Sequence, residues 1–475
     1  MNNLIAFFAF SIFSVFPGVL VYHFISKHFS IATNCIVIVF ISLSFWVILP
    51  WFVFAFQGNL FLVSSLVLIL SALFGIVQFW KRKEAKKFGT TLFKGIQKFG
   101  ALWLLLLYFF PLGDMLLPPG NDAAMHGYIS RLIVNNQGLP SSYNPLLPIQ
   151  EFGSYSAGYH SLAAYFSFFN EQYLVKAINL TTVSVYLLFA LGLAVLLSLF
   201  VRKNIAFLAA VISVLMSRVP QGSFGWGGNS TVLAFAFIFI AFFLFIVAYR
   251  RNSLVLFTLT AFPLAAVPLT HAIPAIGLFY LTIPLFILVF FTKRANKSLL
   301  LRGALITNSM AVFFLLPFAF IFHDPTNQEL LDRIREWQSY YGPEHKEHWW
   351  QDIVETFKYI QYQLSDPLYI TTIAVLVFLV LRRRYFTVIL SLFIMFIVFL
   401  LVHNTHNWYL PFSHLIYPDR IVYFFLFPVA FIFGEFGQLN FKGNKAWQLT
   451  RMALLIYFII VTPMQFWNFY LKQRE

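Results

Sequence analysis

Apolar residues run in blocks of roughly 20, the length that a helix needs to cross a bilayer, and short polar turns separate the blocks along almost the whole chain. The blocks predict membrane-spanning helices over Ile5–Val21, Ile31–Phe56, Leu60–Trp80, Ala101–Leu117, Tyr173–Phe200, Ile205–Met216, Val232–Tyr249, Leu254–Leu269, Ile273–Phe291, Leu299–Phe322, Pro367–Leu381, Tyr385–Val402, Ile421–Phe436 and Met452–Tyr470. The expected fold is all-α: a polytopic transmembrane helix bundle of about 14 spans, one domain over 1–475, with helices in its external loops. Ser154–Phe169 is a candidate partial span.

The polar residues sharpen this picture. Lys81–Lys83 with Lys86-Lys87, Arg202-Lys203, Arg250-Arg251, Lys293-Arg294, Arg382–Arg384 and Lys442/Lys445 alternate with loops poor in positive charge. The positive-inside rule places all six clusters in the cytoplasm and both termini outside. Lys81–Gly100 reads as a basic amphipathic segment along the inner leaflet, with Phe88, Leu92, Ile96 and Phe99 on one face. Two external loops are long, 113–172 and 323–366, and a shorter one covers 403–420. Within 327–364 two amphipathic helices are expected, split at Gly342-Pro343, as an interfacial lid.

Composition excludes other classes. Only 10% of the 475 residues are charged and 60% are hydrophobic, against about 25% charged in soluble domains. The net charge of +15 is therefore read as topology, and no nucleic-acid partner is expected because no water-exposed basic face interleaves with stacking aromatics. Cys35 is the only cysteine, which rules out an intramolecular disulfide. The amino terminus lacks a basic region and a small-residue cleavage site, so the first span is expected to be retained.

Most acids and histidines fall on the predicted outside, crowded at span ends where desolvation makes charge costly. In Pro118-Pro119-Gly120-Asn121-Asp122-Ala123-Ala124-Met125-His126, the prolines and glycine end one helix, and Asn121 or Asp122 is expected to cap the next, running to about Asn136. Asp122 and His126 then share a helical face. A carboxylate at a helix start is stabilised as the anion, which suits a base or a metal ligand; a plain cap beside a packing histidine is the alternative. Further candidates are Glu151, Tyr155 and His160 in the polar entry to the following apolar helix, and His271 at a proline-flanked break. Arg218 opens a glycine-rich external turn able to form an anion nest, and His406, Asp419 and Arg420 lie in the late loop. His403 and His406 have the spacing of metal ligands, but no protein metal site is assigned from two histidines.

An external loop with a helix-start aspartate, then Gly138-Leu139-Pro140-Ser141-Ser142-Tyr143-Asn144-Pro145, then a tyrosine-rich Gly158-Tyr159-His160 entry resembles the GT-C superfamily of membrane glycosyltransferases. The resemblance covers Pro118–Phe169. It implies a sugar moved from a polyprenyl-phosphate donor to a glycan, lipid or protein acceptor on the extracytoplasmic face of the cell membrane. It also implies Asp122 as base or metal ligand, with His126 beside it as catalytic, and an external arginine, here Arg420, for the lipid phosphate. Asp419, Glu151, Tyr155, His160, Arg218, His271 and His406 would line the substrate site. A divalent cation such as Mg2+ or Mn2+ is compatible, but Asn121 stands beside Asp122 where many members pair two acids. Three extra spans also precede this loop. The competing class is a transporter or lipid/oligosaccharide flippase, which would need charges deep within spans; these spans contain few.

Overall fold

The computed structural model describes residues 2–82, 120–144, 155–169, 172, 174–292, 295–322, 349–407, 417–439 and short pieces of 448–464. The expected spans Ala101–Leu117 and most of Met452–Tyr470, the segment Lys83–Gly100, Glu151 and residues 323–348 lie outside the described residues, as do the side chains of Asn404–Asn407, His406 included. Among the described residues every regular element is helical: α1 (Asn2–Val15), α2 (Ile31–Ala55), α3 (Leu60–Arg82), α4 (Asn121–Asn136), α5 (Gly158–Phe166), α6 (Leu174–Leu197), α7 (Lys203–Met216), α8 (Arg218–Trp226), α9 (Asn229–Arg251), α10 (Leu254–Thr270), α11 (Ala272–Phe290), α12 (Lys297–Phe322), α13 (Trp349–Leu364), α14 (Asp366–Leu381), α15 (Tyr385–Asn407) and α16 (Leu426–Gln438). A short helical turn, Pro418–Ile421, and a 3-10 turn, Val422–Phe425, lead into α16.

Nine of the described helices are long and apolar enough to cross a membrane, or eleven if two bent pairs each count as one crossing. This is a multi-pass membrane protein. The bent pairs are α7–α8, at 50°, and α13–α14, at 105°. The apolar block over Ile205–Met216 is thus the first arm of a bent helix pair. The stretch after it, expected to be a glycine-rich turn or anion nest, is helical over Arg218–Trp226. The reason is local. Val219 and Phe224 are buried, Ser217 Oγ accepts from the Val219 N–H at 3.2 Å, and Gln221 Nε2 reaches back to the Leu215 carbonyl.

The chain divides into two compact units. The first comprises 1–189, 226–275 and 286–332; the second comprises 190–225, 276–285 and 333–475. In the first, the core is α9, almost wholly buried, enclosed by α2, α10 and the start of α6. Close approach is secured by small residues: a Cβ on Gly158 would meet Thr270 Oγ1 at 2.7 Å and the Leu269 carbonyl oxygen at 3.0 Å. In the second, α16 packs on α7, α14 and α15, with Phe436 against Phe378 at 5.5 Å and Phe431 against Phe200 at 5.2 Å.

In the first unit the Leu60 N–H donates to the Gln137 carbonyl at 2.7 Å, and Ser156 Oγ to the Pro268 carbonyl at 2.8 Å. These bonds tie together loops that the charge pattern puts on one side. At the other end Asn296 N–H donates to Tyr249 Oη at 2.7 Å. There desolvation, then Lys27 and Arg251, lower the pKa of His28. In the second unit Arg202 N–H meets Gln438 Oε1 at 3.2 Å, and Arg384 Nε lies 3.5 Å from Glu435. The opposite end holds Ser217, Ser365 and Tyr423. Within each unit these contacts pair loops that the charge pattern expects on one side.

That agreement generates a labelling prediction. In a Cys35→Ser background, a cysteine replacing exposed Asn144 and one replacing exposed Asn252 should react with a membrane-impermeant maleimide from opposite sides of the bilayer. Reaction of both from one side would overturn the topology.

Candidate functional site

The polar centre of the first unit is built around α4. Gly120, at φ +103°, is the N-cap, and no side chain caps the helix. Asp122 is therefore not the cap that the sequence suggests. It sits in the first turn, exposed to solvent, where the helix N-terminus favours its negative charge. Asp122 and His126 do share a face, and that face meets Gly227. A Cβ on Gly227 would lie 2.7 Å from Asp122 Cβ and 2.9 Å from the Ala123 nitrogen, and the residue has φ +93°, a conformation suited to glycine.

His126 is buried, at 3% exposure. Its Nε2 lies 2.6 Å from the Gly227 carbonyl oxygen, and its Nδ1 lies 2.7 Å from His160 Nε2. A carbonyl only accepts, so His126 Nε2 carries the hydrogen and, in the neutral ring, Nδ1 accepts. His160 Nε2 must then donate. Both rings are fixed as Nε2–H tautomers in a chain that begins at Gly227 and runs through His126 to His160. His160 Nδ1 is the bare end, buried beside the Ala157 backbone. Burial first, and then the neighbouring His126, hold His160 well below the usual imidazole range. His160 belongs to α5, a nine-residue helix too short to cross the membrane.

The catalytic role expected of His126 meets a ring that is enclosed and engaged at both nitrogens, an arrangement suited to holding α4 in place. His160 is fully buried and likewise does not line an open site. Tyr155, half-buried, has its ring tilted against His160 at 5.3 Å and stands edgewise to Tyr143 at 6.5 Å. Tyr128 Oη donates to the Tyr143 carbonyl, holding the segment after α4 against that helix. Tyr159 Oη pairs with Thr182 Oγ1 at 2.7 Å, and burial raises its pKa. His271 occupies the expected break. It ends α10 and starts α11, with Nδ1 accepting from Ile273 N–H at 3.3 Å.

In the second unit Arg420 Nε lies 3.5 Å from Asp419, and the two side chains are 17% and 41% exposed. Tyr423, fully buried, bonds Ser223 and donates to the Val219 carbonyl at 3.0 Å. Arg218 is exposed, its guanidinium 4.3 Å from the centre of the Tyr362 ring. Among the described residues no three His, Cys, Asp or Glu side chains converge on a metal position. The residues that sequence reasoning did not single out are Gly227 as the docking point of α4, and Ser365. Gly227 stood inside a glycine-rich run that drew a different reading, and its φ has no sequence signature apart from glycine itself.

A model for a family of unknown function, DUF6541, matches residues 31–419. The chain belongs to that family. The match takes in Asp122, His126, His160 and Gly227. No curated protein and no solved structure matches the chain.

Two outcomes are expected from this site. Gly227→Ala forces a side chain into the α4 backbone at an unfavourable φ, so thermal unfolding should show a loss of about 2 kcal/mol or more. An unchanged melting temperature would mean that α4 does not dock on Gly227. The histidine pair also predicts a pH dependence. Because the folded-state pKa of His160 is depressed, its neutral form stabilises the fold above the unfolded value of about 6.5, and that stability is lost as pH falls below it. Melting temperature should drop between about pH 7.5 and 5.5, by less in a His126→Phe/His160→Leu variant; equal slopes would refute the neutral pair.

Proposed function

We propose that this protein is a membrane glycosyltransferase that moves a sugar from a polyprenyl-phosphate donor to an acceptor hydroxyl on the extracytoplasmic side. The observation that supports this most is the setting of Asp122. It is an exposed carboxylate in the first turn of a helix locked by His126 onto Gly227.

Chemically, such a carboxylate draws the proton from an acceptor hydroxyl as its oxygen attacks the anomeric carbon of the donor, and the sugar–phosphate bond breaks with the electron pair leaving on phosphate. A general base held in place contributes about 100-fold or more. The proton-accepting oxygen must stay put while the base face remains wet, and the buried histidine chain meets the first requirement without occupying the second. A divalent cation would find only one carboxylate here, Asp122, among the described residues of this unit's polar end. The donor phosphate is assigned, by the GT-C resemblance, to Arg420, whose bidentate fork suits a phosphate oxygen pair.

The test uses purified full-length protein in nanodiscs with a panel of radiolabelled polyprenyl-phosphate hexoses and pentoses, scoring label released from the lipid. Asp122→Asn keeps shape and removes the base, so kcat should fall about 100-fold or more with the melting temperature preserved. Near-full activity of Asp122→Asn would remove the role of Asp122. Turnover of a nucleotide sugar without lipid donor would defeat the donor class.

A further inference from the structure

The two bent helix pairs of the second unit break against each other. Ser217, at the α7–α8 break, donates through Oγ to the Gln363 carbonyl at 3.1 Å; Ser365, at the α13–α14 break, donates through Oγ to the Met216 carbonyl at 2.7 Å. Each serine satisfies a carbonyl at the end of the helix facing it, a need that a membrane offers no water to meet. Ser365 is buried and sits at φ 68°, ψ 146°, a region populated almost only by glycine. A serine held there by its own side-chain bond marks a clasp under backbone strain.

The clasp fixes what lies on either side of it. Arg218 follows Ser217 and Tyr362 precedes Gln363, so the bonds set the guanidinium over the tyrosine ring at 4.3 Å. Stacking occupies the face of the guanidinium and leaves its in-plane N–H fork for a ligand. Among the described residues no carboxylate is within ion-pair distance of Arg218, whereas Lys358 is paired with Glu355, Arg420 with Asp419 and Arg384 with Glu435. The 105° bend sets Ile353–Leu364 close to the membrane plane if α14 follows the bilayer normal. On that helix Thr356, Ile360 and Leu364 are buried, while Val354 and Tyr362 are more than half exposed. An in-plane helix with exposed apolar side chains lies at the boundary of headgroup and acyl chain, and the anion found at that depth is phosphate.

We propose that Arg218, stacked on Tyr362 and held by the Ser217–Ser365 clasp, binds a lipid-borne phosphate at the membrane interface. The site stands independently of glycosyl transfer, because it needs only the phosphate and the apolar chain attached to it. A polyprenyl phosphate monoester and an anionic phospholipid diester present the same chemistry, and the experiment separates them.

Binding of C55 polyprenyl phosphate, C55 polyprenol, phosphatidylglycerol and inorganic phosphate is measured on the detergent-purified full-length protein by native mass spectrometry, without turnover. Arg218→Gln should weaken binding of the phosphate-bearing lipid by about tenfold or more, the cost of one charge-assisted pair, and leave polyprenol unchanged. Loss for the monoester alone identifies a polyprenyl-phosphate site; loss for both lipids identifies a general headgroup anchor; either supports the proposal. Arg218→Lys should lose several-fold, lacking the fork, and Tyr362→Leu should lose a similar amount, lacking the stack. These two variants decide the matter if Arg218→Gln does not fold. Unchanged affinity for both phosphate lipids in the folded variants overturns the proposal, as does binding of inorganic phosphate alone. Since no step involves sugar, a fully active Asp122→Asn protein and an unaltered Arg218→Gln protein are separate failures.

Discussion

A helix that ends inside or beside lipid must have its last carbonyls answered by protein, since each group left bare costs several kcal/mol. That demand shapes the polar ends of both units. Ser217 and Ser365 answer carbonyls across two helix breaks, Ser156 answers Pro268, and His126 answers Gly227. The fold's apolar mass, with α9 almost entirely enclosed, explains why the chain stays in the membrane. The positions of the chemically able residues are set by this short list of side-chain-to-carbonyl bonds.

Seen this way, the two histidines are part of the same accounting as the serines. A buried imidazole needs a donor and an acceptor in place, and the Gly227 carbonyl dictates which nitrogen donates along the whole chain. Polar groups that close a helix end also hold Asp122 and Arg218 in fixed surroundings, so stability and any chemistry at these ends draw on the same bonds. Arg218 and Asp122 belong to different units, and each is held by its own set of contacts.

The spans were legible because lipid imposes a crude code, about 20 apolar residues with basic flanks. Charge counting puts on a common side each pair of loops that the Leu60–Gln137 and Arg202–Gln438 bonds join within its unit. Helix α4 was legible as well, because Gly120 and Gly138 punctuate it. The capping assignment failed by one or two residues, since φ +103° at Gly120 opens the helix before Asn121 can. The stretch from Arg218 to Trp226 was misread because Gly222 and Gly225, followed by Gly227 and Gly228, outweighed the two buried apolar side chains, Val219 and Phe224, that support a helix. The roles of His126 and Ser365 were not legible at all. Both are decided by carbonyls more than 100 residues away in sequence, 101 for His126 and 149 for Ser365.

That separation has a consequence for how the protein is made. A polytopic chain enters the bilayer from its amino terminus, so α4 emerges long before Gly227 is synthesised. Until α9 has inserted, His126 and His160 have each other but no carbonyl to set their hydrogens, and the face that carries Asp122 has nothing to dock on. The aspartate's setting is therefore assembled late, by one of the longer loop closures in its unit, and its maturation is tied to insertion of a helix that contains none of its polar residues.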